Sequence, residues 1–163
     1  MLASTGIKGL GFGYAPFAVL TGDRPQLTTL ADGVVVWLNA AVFSEAFTAV
    51  RDVMPDYNLE ELKTLKVTVV PVEVDYEPVS RETIIGVYSI DIGIQKKLVK
   101  TDINGQVEDL DKFVTEIVDY LSFRDIPDPI GYWIGTKQVP AYDRDHLVEM
   151  LVYTSVVTVK YKG

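Results

Sequence analysis

The sequence predicts an α+β fold: a mixed or antiparallel sheet with two main helices packed on one face, long projecting strands and an extended N-terminal arm. Three observations carry that expectation. Residues Thr83 to about Leu98 alternate, with Ile84, Tyr88, Ile90, Ile92 and Ile94 on one face and Ser89, Asp91, Gly93 and Gln95 on the other, the period of a strand. Residues 106–123 repeat apolar side chains at three and four, through Val107, Leu110, Val114, Ile117, Val118 and Leu121, the period of a helix. The resulting order is arm, helix, three strands, helix, two strands, with no internal repeat and no linker between domains.

Residues 1–27 read as the arm and 28–163 as one α+β domain. Gly6, Gly9, Gly11, Gly13 and Gly22 with Pro16 and Pro25 make the arm turn-rich, while Phe12, Tyr14, Phe17 and Leu20 give it apolar anchors. Such a segment has no core of its own and gains by lying on another surface, either its own domain or a neighbouring subunit. Leu30, Val34, Trp37, Leu38 and Ala41 then fall at helical spacing, with Thr28 or Thr29 as the cap, although Val34-Val35-Val36 favours a strand. Phe47–Met54 reads as a strand ended by Pro55, Leu59–Leu62 as one helical turn, and Leu65–Val70 as a strand stopped by Pro71.

The long run Thr83–Leu98 would span roughly 50 Å at ~3.3 Å per residue, so it projects past its partners or bends at Gly86 or Gly93. Asn104-Gly105 reads as a turn into the helix of residues 106–123, whose Glu108, Asp109 and Asp111 complement the dipole of its first turns. Ile126-Pro127-Asp128-Pro129 reads as a rigid connector, Ile130–Ile134 as a short strand and Val148–Lys160 as a second long strand, with Leu151, Tyr153, Val157 and Val159 on one face.

Composition narrows the function. At 163 residues a single core is expected, and 48% hydrophobic residues supply it without a staple. There is no cysteine, which removes disulfides, thiolate metal sites and thiol catalysis. Lys and Arg total 15 against 23 Asp and Glu, a net charge of −8, which argues against nucleic acid or an anionic membrane bound across the surface. Met1–Lys8 lacks the basic start and unbroken apolar run of a secretory signal, and no stretch nears the ~18 apolar residues of a membrane span. The expectation is a soluble protein made in the cytoplasm.

No constellation reads as an active site. The cluster Gly6, Gly9, Gly11, Gly13 has neither the strand–turn–helix context of a dinucleotide fingerprint nor the Gly-Lys-Ser/Thr of a P-loop. His146, the single histidine, has Asp143 and Asp145 beside it but no nucleophile to activate, and reads as part of a solvated turn. Glu60/Glu61 and Asp109/Asp111 read as solvated carboxylates, and Asp75, Glu77 and Glu82 lack the spacing of a calcium loop. Lys96, Lys97 and Lys100 form the one basic cluster: either a solvated strand end that blocks aggregation or an electrostatic contact to an acidic neighbour or a passing phosphate backbone.

Two short runs, Leu59-Glu60-Glu61-Leu62-Lys63-Thr64-Leu65-Lys66-Val67-Thr68-Val69-Val70-Pro71 and Ile90-Asp91-Ile92-Gly93-Ile94-Gln95-Lys96-Lys97, stand with Leu38-Asn39-Ala40 upstream and an acidic amphipathic helix downstream. In these runs and in element order, residues 28–161 resemble the tail-terminator or tail-completion neck proteins of long-tailed bacteriophages; the glycine-rich arm is not part of that pattern. The resemblance implies a virion protein, assembled in the host cytoplasm, that forms a homohexameric ring. The ring caps the tail tube and joins it to the head connector, and genomic DNA passes through its lumen without sequence-specific binding. Its implied partners are further copies of itself, the tail tube protein and head–tail connector proteins. No catalysis, cofactor, metal or membrane is implied.

A head-to-tail ring needs two different patches per subunit. One is expected on the long-strand hairpin, the other on the arm and first helix, with Phe12, Tyr14, Phe17, Tyr88, Ile90, Ile92, Lys96 and Lys97 as candidate interface residues. Alternative readings are another connector layer (a stopper or adaptor) and, in a different class, a small cytosolic enzyme or ligand-binding module using surface carboxylates.

Overall fold

Helix α1 spans Leu27–Ala40. Leu30, Ala31, Val34 and Leu38 form one buried stripe along it, and burying that stripe outweighs the strand preference of the three valines. The computed structural model describes residues 24–127 and 130–163, so nearly all of the expected arm, with Phe12, Tyr14 and Phe17, lies outside the described residues. Neither Thr28 nor Thr29 caps α1. Gln26 occupies the N-cap position without a side-chain bond, and the entry is held instead by the Tyr88 hydroxyl, which donates to the Pro25 carbonyl at 2.6 Å.

The remaining elements are β1 (Ala49–Arg51), a 3₁₀ turn at Glu61–Lys63, β2 (Lys66–Pro78), β3 (Ile84–Lys97), α2 (Ile103–Leu121), β4 (Ile126–Pro127), β5 (Ile130–Gln138), α3 (Arg144–Met150) and β6 (Val152–Lys162). The sheet order is β1-β2-β3-β6-β5-β4, with β1 parallel to β2 and every other pair antiparallel. The fold is therefore α+β, with a mixed, curled six-stranded sheet. Even-numbered residues of β3 (Tyr88, Ile90, Ile92, Ile94) and odd-numbered residues of β6 (Tyr153, Val157, Val159, Tyr161) are buried in the core shared with α1 and α2. Each such aliphatic contributes about 1.5–3 kcal/mol by leaving water. Phe43 and Phe47, in the loop after α1, stack edge-on against Phe113 of α2 and so close one end of that core. No helix among the described residues is long and apolar enough to cross a membrane.

Several expectations are corrected. Pro71 does not stop β2, which runs on to Pro78. β1 pairs only with Val67–Val69, so Pro71 lies where β2 is already an edge, next to a bulge between Pro71 and Glu73, and proline is tolerated in both places. The bulge makes Val72 an extra residue, which shifts the alternation by one position. Val74 then pairs with Tyr88 on the helix side, while Glu73 and Asp75 pair with Ser89 and Val87 on the opposite side. A second bulge, between Trp133 and Gly135 of β5, does the same for Ile134. These bulges sit in the strands flanking β3 and β6, and β3 pairs continuously with β6 through Gly93 from Val87 to Lys97.

Asn104-Gly105 is not a turn but the first turn of α2. Asp102 sits in the left-handed region (φ 53°) and its carboxylate accepts from the Gly105 N–H at 3.2 Å. A Cβ at residue 105 would collide with that carboxylate. Because α2 starts at Ile103, its first turn holds no acidic residue; Glu108, Asp109 and Asp111 lie further along. Ile126-Pro127 is paired as β4 rather than a bare connector, and β5 extends to Gln138. The expected last strand is split. Asp143 caps α3 through the N–H groups of Asp145 and His146, and Leu151 (φ 54°) ends the helix and turns the chain into β6.

Candidate assembly surface

The two faces of the sheet differ. One carries α1 and α2; the other is polar and open except where Tyr57 meets Thr68 and His146 of α3 meets Thr154, and strand register arranges its side chains in rows. One row runs Lys137, Thr158, Asp91, Val70; the next Gly135, Lys160, Ser89, Glu73; the third Tyr132, Lys162, Val87, Asp75. Thr158 donates to Asp91 Oδ1 at 2.6 Å within the first row, and Lys162 Nζ of the third row lies 4.0 Å from Glu77 Oε1, the next open-face carboxylate along β2 after Asp75. Every row has its ammonium on β5 or β6 and its carboxylate on β2 or β3. Between them lies a shallow groove lined by Glu73, Ser89, Asp91, Lys137, Thr158 and Lys160. Ser89 is 3% exposed in its floor, and its Oγ has no hydrogen-bond partner among the described residues.

The β2–β3 hairpin is the projecting element. Beyond Val69, β2 has no outer neighbour among the described residues, and its tip around Val79–Thr83 stands free of β1 and β6. Val72, Tyr76 and Val79 are exposed along it. At the opposite side, β4 covers only Ile130 and Gly131 of β5, so Ile134–Gln138 form a second edge without an outer strand. Tyr132 and Ile134 are exposed there, and the largely exposed Phe123 stacks on Trp133 with ring centroids 4.4 Å apart.

The candidate residues named from sequence fall in three places. Phe12, Tyr14 and Phe17 are outside the described residues. Tyr88, Ile90 and Ile92 are buried inside the subunit's own core, at 1%, 0% and 0% exposure, where no neighbour reaches them. Lys96 lies on the helix side, 3.7 Å from Glu45, and Lys97 ends β3 opposite Val152 on the open side. The residues that sequence reasoning passed over, Glu73, Lys137 and Lys160, are far apart in the chain and come together only through register. One local signal existed: in β2 the polar positions switch from even (Lys66, Thr68) to odd (Glu73, Asp75, Glu77) across Pro71, which is what a bulge does.

The remaining titratable groups are engaged locally. His146, in α3 rather than a turn, has Nδ1 3.1 Å from Thr154 Oγ1 and 3.7 Å from Asp143 Oδ2, and Asp143 is occupied in capping α3. Glu60 pairs with Lys63, whose hydrogen bond and charge hold its carboxyl below the usual range. Among the described residues, no three of His, Asp and Glu gather as a metal site would need. No protein-family model matches this chain, and a comparison with curated proteins finds no match either.

Proposed function

We propose that this chain is a structural subunit of a bacteriophage neck, forming a homo-oligomeric ring that caps the tail tube and joins it to the head connector. The observation that carries this reading is the projecting β2–β3 hairpin, whose outer edge beyond Val69 is unpaired among the described residues. An unpaired edge of this length offers a template for another chain. The resemblance of residues 28–161 to tail-terminator proteins supplies the identity of the assembly. Charge is compatible with passage of DNA. On the open face Glu73, Asp75, Glu77 and Asp91 are interleaved with Lys66, Lys97, Lys137, Lys160 and Lys162, while the exposed Glu108, Asp109 and Asp119 belong to α2 on the other side. Mixed signs on one side and the acidic α2 on the other give the duplex no continuous basic wall to which it would adhere.

The test is the mass of the purified chain by light scattering, together with negative-stain images. A ring whose central opening admits duplex DNA is expected, and its addition to tail tubes lacking this protein restores head joining. A chain that stays at 18.1 kDa at every concentration and forms no ring on tubes overturns the reading.

A further inference from the structure

The two unpaired edges of the sheet are opposite in charge. The β2 edge carries Glu73, Asp75 and Glu77, all exposed, with Asp91 behind it on β3. The β5 edge carries Lys137, with Lys160 and Lys162 behind it on β6. Glu73, Asp75, Lys137 and Lys160 form no ion pair among the described residues. Each edge also presents exposed apolar groups: the bulge residue Val72 and Tyr76 on one, the bulge residue Ile134 and Tyr132 on the other.

Charge on an edge strand commonly serves only to repel other strands, and Pro71 and Pro78 fit that use. A guard, however, needs charge and not opposite charge on opposite edges. Two acidic edges, or two basic ones, would keep copies apart. An acidic edge and a basic edge on one molecule instead make copies complementary to each other, while repelling the pairing of like edges.

We infer that the β5 edge of one copy docks along the β2 edge of the next, so that the sheet continues from copy to copy. Strand directions permit this. β2 is antiparallel to β3, β3 to β6 and β6 to β5, so β5 runs opposite to β2, and a neighbour placed in the same orientation meets β2 in the antiparallel sense. The contact joins two different patches and therefore closes into a ring when the rotation between copies allows. The inference rests on the ring reading above and replaces the arm and first helix with the β5 edge as the second patch.

Two charge-reversed variants test it: Glu73→Lys with Asp75→Lys, and Lys137→Glu with Lys160→Glu. All four positions are exposed, and an unchanged far-UV circular dichroism spectrum verifies folding. Each variant alone is expected to weaken assembly at least tenfold and to run as an 18.1 kDa monomer where the wild type assembles. A one-to-one mixture restores the wild-type mass, because each junction then pairs an ammonium edge with a carboxylate edge and the two variants alternate. Variants that assemble like the wild type overturn the edge pairing and leave the ring reading standing. A wild type that never self-associates overturns both, and one that associates only with a different virion protein overturns a second copy as the occupant.

Discussion

The hydroxyl of Tyr153 in β6 donates to Asp111 Oδ1 on α2 at 2.5 Å, tying the helix layer to the sheet through a side chain that is otherwise buried. Burial, and then the adjacent Asp111 carboxylate, push this hydroxyl well above the ordinary tyrosine range. A pKa raised by folding leaves stability intact below the unfolded value of about 10 and erodes it as pH climbs beyond that. Tyr153→Phe is expected to cost about 1.5–3 kcal/mol at pH 7, the range for hydrogen bonds to charged groups. It also flattens the alkaline fall in stability in part, since burial raises Tyr161 and Tyr88 as well. Urea denaturation of both proteins between pH 7 and pH 11 checks both effects.

Asn39 works as an added rung for the short strand β1. Its Oδ1 accepts from the Ala49 N–H at 2.7 Å and its Nδ2 donates to the Ala49 carbonyl at 3.0 Å. Asn39→Ala is expected to destabilise by about 1–2 kcal/mol, with the loss concentrated locally. Hydrogen exchange checks it: the amides of Ala49–Arg51 and of their partners Val67–Val69 speed up more than those of β3. The nearby Arg51–Asp32 pair, at 2.6 Å but on the surface, contributes less, and Asp32→Asn costs under about 1 kcal/mol.

Two glycines of β3 make a contrasting pair. A Cβ at residue 86 would meet the Tyr88 ring at 2.7 Å, whereas one at residue 93 has only the Thr68 carbonyl oxygen, at 3.9 Å. Gly86→Ala is expected to displace Tyr88 from Pro25 and destabilise by about 1–3 kcal/mol, as overpacking does. Gly93→Ala is expected to stabilise by about 0.5 kcal/mol through lower unfolded-state entropy. Thermal melts of the two single variants give opposite signs.

Glu116 accepts from the Ser44 N–H at 2.8 Å and so anchors the loop after α1 to α2. The hydrogen bonds from Ser44 hold its carboxyl below the ordinary range. A lowered value gives stability that is present above about pH 4.3 and is lost as pH falls through the folded pKa. The group is exposed, so solvent screening limits the contribution to under about 1 kcal/mol. Glu116→Gln is expected to show a smaller stability difference between pH 7 and pH 3 than the wild type, measured by urea titration at both values.

Legibility followed range along the chain. The elements β3 and α2 repeat one period over many residues, and local periodicity located both within a few positions. The helix α3 escaped because Leu151 and Tyr153 share the period of two with Val157 and Val159, so the strand pattern reads on back to Val148. Its boundary is set by the Asp143 cap and the left-handed Leu151, which are backbone events that periodicity does not express. Pro71 misled for a related reason: a proline stops a central strand, and nothing local to it says that β1 has ended two residues earlier in the register. The charged rows of the open face were out of reach altogether, since Lys160 meets Glu73 only through the pairing of β6 with β3 and of β3 with β2.

The bulge at Val72 has a consequence in genetic terms. An in-frame deletion of that single codon would place Glu73 directly after Pro71, and because their partners Ser89 and Ile90 are already consecutive, β2 would close into a regular ladder with its side chains on their present faces. Val74 would still pair with Tyr88 on the helix side, where Tyr88 reaches Pro25, and Glu73 and Asp75 would still face the open side opposite Ser89 and Val87. The smallest lesion the gene can carry there would thus remove the local bend and leave the two faces of the strand as they are.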